Sequence, residues 1–248
     1  MSVRALLIIA WLVGGCGAAA ADDEILVAVA SNFLPVARVL AEDYEAATGT
    51  HVKLSAGSSG KLYAQIINGA PFDLFLSADE ARPMKLVERG DAVAASRFTY
   101  AVGRLLLWSG DTRLVGSDCL AALRQAPGRV AVANPDTAPY GRAAIEFFKS
   151  SAIDVASRRV TGENIAQALQ FAVRGGAQFG VLAKAQADKL PAGGCRYTVP
   201  ADQHTPIRQQ AVLLRRAADN ALALHFLEFL ASDARERIAA AGYEFDDE

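Results

Sequence analysis

Small hydroxyl and amide residues follow two short apolar segments near the start of the chain. Ser31 and Asn32 come directly after residues 25–30, and Ser59 follows residues 52–56. Each site precedes a pattern typical of an amphipathic helix, whose first N–H groups lack partners within the helix. These neutral donors together suit an anion, although ordinary helix caps use the same residue types.

Other chemistries lack their motifs in this sequence. One segment is similar to a phosphate-binding loop, but Ser55 replaces the first glycine of that motif and Leu62 replaces its hydroxyl residue. A G-x-S-x-G nucleophile motif is absent from the sequence. His51, His204 and His225 fall in separate predicted elements, which argues against a catalytic or metal-binding histidine.

Three aspartates, Asp73, Asp79 and Asp136, lie near the ends of predicted strands. Carboxylates at such positions could serve acid–base chemistry or a divalent cation. A helix cap and a turn explain Asp79 and Asp136 more simply. Asp73 lies within an apolar strand, so we expect it at the edge of its domain.

The donors are positioned by a regular alternation of apolar segments and helical patterns. The first series predicts strands at residues 25–30, 52–56 and 71–77, each followed by a helix. This βαβαβα order favours a parallel, doubly wound sheet. A second series predicts strands at 130–133 and 179–182 and helices at 118–125, 142–149 and 165–173.

Two long connections divide the chain into two lobes. The apolar residues 100–108 predict a strand that crosses to a second domain, and residues 209–214 predict a return strand. The closing helices, at about 220–230 and 234–240, lack a strand partner nearby and should pack on the first lobe.

We therefore expect an α/β fold with two hinge crossovers. Lobe 1 comprises residues 22–102 and 207–248, and lobe 2 comprises residues 103–206. Each lobe is a doubly wound, mostly parallel sheet with helices on both faces. The ligand should lie between the lobes, at the carboxyl ends of their strands.

The composition limits the partners. The chain has 248 residues with 25 Lys and Arg against 27 Asp and Glu, and it contains no basic run. Nucleic acid is therefore not an expected partner.

The first 21 residues are typical of a secretory signal peptide. They contain one cation, Arg4, then an apolar segment, and end in an alanine run that suits cleavage after Ala21. A competing lipobox at residues 13–16 would instead lipidate Cys16. We favour the cleaved, soluble periplasmic form and keep the lipoprotein as the alternative.

Two cysteines, Cys119 and Cys195, remain after such a signal. A disulfide or two buried free thiols would both fit the sequence. We carry the disulfide forward as the prediction, because export permits it and both residues fall within lobe 2.

Several motifs resemble the periplasmic molybdate-binding proteins of ABC importers, over about residues 24–243. The most specific is Gly-Ala-Pro-Phe-Asp-Leu-Phe-Leu-Ser-Ala-Asp at 69–79; others are Ala-Val-Ala-Ser at 28–31, Ser-Ser at 58–59, Asn-Pro at 134–135, Ala-Pro-Tyr-Gly at 138–141 and Gly-Val-Leu at 180–182. The resemblance implies a two-lobed type II periplasmic binding protein.

The resemblance also implies the site residues. The oxyanion ligands of that family fall on Ser31, Ser59, Tyr140 and Ile165, the last through its backbone N–H. One branch of the family has a tyrosine donor where this chain has Ala183; a second branch uses an Asn beside the first serine and a tyrosine in the Pro-x-Gly loop. The expected site is Ser31, Asn32, Ser59, Tyr140 and Ile165, with the Tyr140 hydroxyl replacing the donor missing at Ala183.

The function implied is a non-enzymatic receptor that captures molybdate or tungstate and delivers it to a membrane permease, as a monomer and without a cofactor. Molybdenum would be present only as the bound oxyanion. The alternative within this class is a receptor for sulfate, thiosulfate or another oxyanion. The fold also occurs in porphobilinogen-polymerising transferases and in regulatory effector domains, but the sequence shows neither the cleft chemistry of the first nor the DNA-binding helices of the second.

Overall fold

A computed structural model describes residues 24–246 of the protein. The predicted signal peptide, with its alternatives of cleavage at Ala21 and lipidation at Cys16, lies outside the described residues. Within the described part, no helix is both long and apolar enough to cross a membrane.

The first sheet has the strand order β2-β1-β3-β10-β4. Its strands are β1 (Glu24–Ala30), β2 (His51–Gly57), β3 (Leu74–Ser77), β4 (Phe98–Gly103) and β10 (Ile207–Leu213). Strand β10 is antiparallel to both of its neighbours, so the other four strands share one direction. The prediction of a mostly parallel sheet is confirmed here.

The second sheet repeats this plan in the order β7-β6-β8-β5-β9. Its strands are β5 (Leu105–Ser109), β6 (Val130–Ala133), β7 (Arg159–Gly162), β8 (Phe179–Ala183) and β9 (Cys195–Thr198). Only β5 runs against the other four. The sequence analysis missed β7 and β9, which are short edge strands with several exposed residues.

Eight α-helices are present among the described residues. They are α1 (Leu34–Thr48), α2 (Ser59–Ile67), α3 (Ala81–Glu88), α4 (Cys119–Gln125), α5 (Pro139–Ser150), α6 (Ile165–Val173), α7 (Ala221–Ala231) and α8 (Arg235–Ala240). Their ends follow the capping signals in the sequence. Gly49 ends α1 in the left-handed conformation, and Asn164 caps α6 by accepting a hydrogen bond from the Gln167 N–H.

Alternating side chains of the first sheet build two cores, one on each face. Ile25, Val27 and Val29 pack with α1, α7 and α8. Ala28 and Phe75 face the opposite side, where they pack with α2 and α3. This alternation follows from the two-residue period of a strand. The closing helices therefore pack on the first sheet, as predicted.

The predicted strand over residues 100–108 is two strands in different sheets. Gly103 ends β4 in the first sheet, Arg104 lies between, and Leu105 begins β5 in the second. The chain returns between Thr198 and Ile207, so it passes between the sheets twice. The disulfide Cys119–Cys195 ties α4 to β9 of the second sheet. The prediction that these two cysteines are bridged is confirmed.

Candidate functional site

A small cavity lies between the two sheets. All five residues predicted for the site line it: Ser31, Asn32, Ser59, Tyr140 and Ile165. They follow the carboxyl ends of β1, β2, β6 and β7, at the starts of helices or turns. All five are buried. The topology thus brings together residues that lie up to 134 positions apart in the sequence, since Ser31 and Ile165 face the same cavity.

Four backbone N–H groups at this cavity are free of protein acceptors. Ser59, Tyr140 and Ile165 lie in the first turns of α2, α5 and α6, where N–H groups have no partner within the helix. Asn32 lies in the turn between β1 and α1. Among the described residues, no acceptor takes a hydrogen bond from any of these four groups. Helix N-termini of this kind attract anions.

Two serine hydroxyls add further donors. The Ser59 Oγ accepts a hydrogen bond of 2.9 Å from the Ala78 N–H, which leaves its own proton available. The Ser31 hydroxyl makes no hydrogen bond to another described residue. Both hydroxyls are therefore able to donate to a ligand in the cavity.

The side chain of Asn32 already donates hydrogen bonds to two residues that belong to, or pack against, the first sheet. Its Nδ2 donates to Gln209 Oε1 at 2.7 Å and to the Tyr243 hydroxyl at 3.1 Å. The Tyr243 hydroxyl in turn donates to the Asn32 carbonyl oxygen at 3.0 Å. What Asn32 can offer an anion is therefore its backbone N–H, with the side chain holding that peptide in place.

The Tyr140 hydroxyl is buried without a hydrogen-bond partner among the described residues. It lies against Gly103 at the end of β4, beside the Gln209 amide. Burial raises the pKa of Tyr140 well above its ordinary value, and the neighbouring Tyr243 and Tyr100 raise it further. The hydroxyl therefore keeps its proton at neutral pH. Its expected bond to a bound anion stays a prediction.

Ala183, where a tyrosine donor stands in another branch, ends β8 and is fully buried. It is not among the residues that line the cavity. The cavity lining carries no formal charge. An anion there would be held by neutral hydroxyl and amide donors alone.

Contacts across the cavity rim hold the two sheets together. The Gly60 N–H donates to the Thr137 carbonyl oxygen at 2.8 Å. Lys61 forms an ion pair with Glu163 at 2.7 Å. In each contact, one partner belongs to α2. The other lies in a connection of the second sheet, between β6 and α5 for Thr137 and between β7 and α6 for Glu163.

Two of the remaining polar candidates from the sequence, Asp73 and Asp79, have structural roles. Asp73 accepts a hydrogen bond from the Leu26 N–H and pairs with Arg216, and Asp79 pairs with Arg82. Within residues 24–246, no three His, Cys, Asp or Glu side chains form a group that could hold a metal ion.

Sequence reasoning missed the polar groups beneath the cavity. Gln209 accepts hydrogen bonds from Asn32 and from the Tyr100 hydroxyl, at 2.7 and 3.3 Å, and it is fully buried. Its position within an apolar return strand was the available signal, because a buried polar side chain needs partners.

Comparisons with known proteins identify the family of this chain. The family model for bacterial extracellular solute-binding proteins matches residues 25–244. The molybdate-binding protein ModA of Rhodobacter capsulatus is 43% identical over 94% of this chain and 92% of its own length. That of Azotobacter vinelandii is 41% identical over 96% of each. The chain belongs to the ModA family of bacterial extracellular solute-binding proteins.

Solved structures of other binding proteins have the same fold as this solute-binding protein. It superimposes on the Azotobacter vinelandii periplasmic molybdate-binding protein with a TM-score of 0.83 at 37% identity, covering 90% of this chain and all of the other. The sulfate-binding protein SubI of Mycobacterium tuberculosis has a TM-score of 0.71 at 16% identity, with coverage of 90% and 87%. At that identity the second match shows the fold alone.

Proposed function

We propose that this protein is an extracytoplasmic receptor that binds molybdate, and also tungstate, in the cavity between its sheets. It is a binding protein rather than an enzyme. The observation that carries the proposal is the set of free donors around one cavity, with an uncharged lining. The relatives named ModA bind molybdate.

The donor set suits a fully deprotonated tetrahedral dianion. We assign to it the Ser31 and Ser59 hydroxyls and the backbone N–H groups of Asn32, Ser59, Tyr140 and Ile165. Each charge-assisted bond contributes roughly 1.5–3 kcal/mol net. A protonated phosphate would bring an O–H group that needs an acceptor. The four backbone N–H groups cannot accept it, and a serine hydroxyl could do so only by turning its own proton away from the anion. Discrimination against the smaller sulfate must come from the size of the cavity.

Capture requires the two lobes to close on the anion. We propose lobe boundaries at residues 22–102 plus 207–248 and at 103–206, with the crossovers near Arg104 and between Thr198 and Ile207 serving as hinges. The closed protein, acting as a monomer, would then present its ligand to the membrane permease of an ABC importer.

Isothermal titration calorimetry of the mature protein with molybdate, tungstate, sulfate and phosphate tests the proposal. We expect dissociation constants for the first two that are micromolar or tighter, which corresponds to about 8 kcal/mol or more. Sulfate and phosphate should bind far more weakly. Sulfate within tenfold of molybdate would instead favour a general oxyanion receptor.

A further inference from the structure

Two buried polar atoms from different sheets lie near each other without partners. One is the hydroxyl of Tyr140, from α5 on the second sheet; the other is Nε2 of Gln209, in β10 of the first sheet. Buried groups of this kind are costly when unpaired. An amide N–H can donate to a phenol oxygen, so each atom can satisfy the other.

Gly103 leaves the space in which these two groups meet. A Cβ atom at this position would lie 2.1 Å from the Tyr140 hydroxyl oxygen, 2.8 Å from its ring carbon Cζ and 3.3 Å from Gln209 Nε2. Gly103 is not among the glycines with positive φ, so its backbone does not require glycine. The clearance for the tyrosine explains why a side chain is absent here.

Gln209 connects this contact to the anion cavity. Its Oε1 accepts a hydrogen bond from Asn32 Nδ2 at 2.7 Å, and Asn32 lines the cavity with a free backbone N–H. A continuous path therefore runs from a side chain of the second sheet, through Gln209, to a donor peptide of the first sheet.

We propose that Gly103 and Gln209 are positioning residues for anion capture: the gap at Gly103 admits the Tyr140 hydroxyl when the lobes close, and its pairing with Gln209 fixes Asn32. The contact joins β4 and β10 of the first sheet to α5 on the second sheet, immediately before the crossover at Arg104. It makes the closed form depend on a residue that does not touch the ligand. This inference rests on the proposed function.

The test is a double-mutant cycle on molybdate affinity with Gly103→Ala and Tyr140→Phe. Gly103→Ala should weaken binding about tenfold, the size expected when an added methyl group overpacks a close contact. Removing the hydroxyl takes away the atom 2.1 Å from the new methyl group and leaves the ring carbon Cζ, at 2.8 Å, as the nearest atom, so the crowding is reduced but not abolished. In the Tyr140→Phe background, Gly103→Ala should therefore cost clearly less. An equal cost in both backgrounds, or no cost at all, overturns the inference.

Two further measurements separate positioning from folding. Thermal unfolding of the ligand-free variants should remain a single cooperative transition, and small-angle scattering with saturating molybdate should show less compaction for Gly103→Ala than for the wild type. Gly176→Ala is the matched control, since Gly176 is exposed at the end of α6 and an added Cβ comes no closer than 3.2 Å to any atom. Gly176→Ala should bind like the wild type.

A second cycle covers the case in which Gly103→Ala does not fold. The losses of affinity caused by Tyr140→Phe and Gln209→Met should be less than additive, because both remove the same contact. Additive losses overturn the inference. The proposed function is judged separately, by the wild-type titration, which involves none of these variants.

Discussion

Ser59 combines two hydrogen-bonding roles at one atom. Its Oγ accepts from the Ala78 N–H and thereby ties the start of α2 to the end of β3. Because that bond uses a lone pair, the hydroxyl proton remains for the ligand. The residue is fixed in place by the protein and is still able to donate, which is the arrangement that preorganised binding requires.

We expect Ser59→Ala to weaken molybdate binding about ten- to a hundredfold, equivalent to roughly 1.5–3 kcal/mol for a charge-assisted bond. Calorimetric titration measures the change. Ser109→Ala is the control. Ser109 ends β5 in the second sheet, is as buried as Ser59, and its Oγ also accepts a hydrogen bond from a backbone N–H, that of Asp111. If Ser59→Ala binds as tightly as this control, the Ser59 hydroxyl is not a ligand.

Three buried tyrosines, one lining the cavity and two beneath it, make stability sensitive to alkaline pH. Burial raises the pKa of Tyr100, Tyr140 and Tyr243 above the ordinary value of 10.0. Below about pH 10, both folded and unfolded states keep these protons, and stability does not depend on them. Above it, only the unfolded state ionises, so stability falls by up to about 1.4 kcal/mol per pH unit for each tyrosine.

Urea unfolding between about pH 9 and pH 11 measures this slope. Tyr140→Phe should make the fall in stability with pH less steep by the contribution of one tyrosine, up to about 1.4 kcal/mol per pH unit. The comparison is made after correction for the stability of the variant at neutral pH. A slope that is the same in Tyr140→Phe and the wild type would show that Tyr140 is not shielded from solvent.

At the scale of the elements, the start of α6 offers a direct test of a backbone donor. Ile165 is the first residue of this helix, and Asn164 before it is extended, with φ −150° and ψ 175°. Proline is tolerated at the first helical position and after an extended residue. A proline here removes the N–H that faces the cavity while the helix is kept.

We expect Ile165→Pro to bind molybdate about ten- to a hundredfold more weakly than Ile165→Ala. Both variants lose the isoleucine side chain, so their difference reports the N–H group together with the ring carbon Cδ that takes the place of its hydrogen. Calorimetry gives the affinities, and circular dichroism verifies that the helix content matches. Equal affinities in the two variants would exclude Ile165 as a backbone donor.

At the scale of the whole molecule, closure should depend on charges at the cavity rim. Lys61 and Glu163 pair across it, and both side chains are about half exposed or more. Exposed pairs of this kind contribute only about 0.2–1 kcal/mol and are screened by salt. The pair therefore tunes the closed form without determining it.

Lys61→Glu should speed release of molybdate by a few-fold at low ionic strength, because it places two carboxylates on opposite sides of the rim. The swap Lys61→Glu with Glu163→Lys should restore the wild-type rate. Stopped-flow displacement at low and high salt measures both. An acceleration that the swap does not reverse, or that salt does not reduce, would point to a cause other than this pair.

Local sequence patterns predicted most of the elements in their order, many of their ends and the donor residues that follow β1 and β2. These features are local: strand alternation, helix caps such as Asn164 and the glycine at position 49 act over a few residues. The five residues predicted for the site are also brought around one cavity, because the carboxyl ends of strands in each sheet lie at a common edge.

The roles of the side chains beneath that cavity depend on long-range packing. The Asn32 side chain donates to Gln209, 177 positions away, and to Tyr243 rather than standing free, and the Tyr140 hydroxyl lies against Gly103. The break at Arg104 and the edge strands β7 and β9 were likewise not readable from local patterns. The physical reason is that buried polar groups take whichever partners the packing brings within reach, and those partners are distant in sequence.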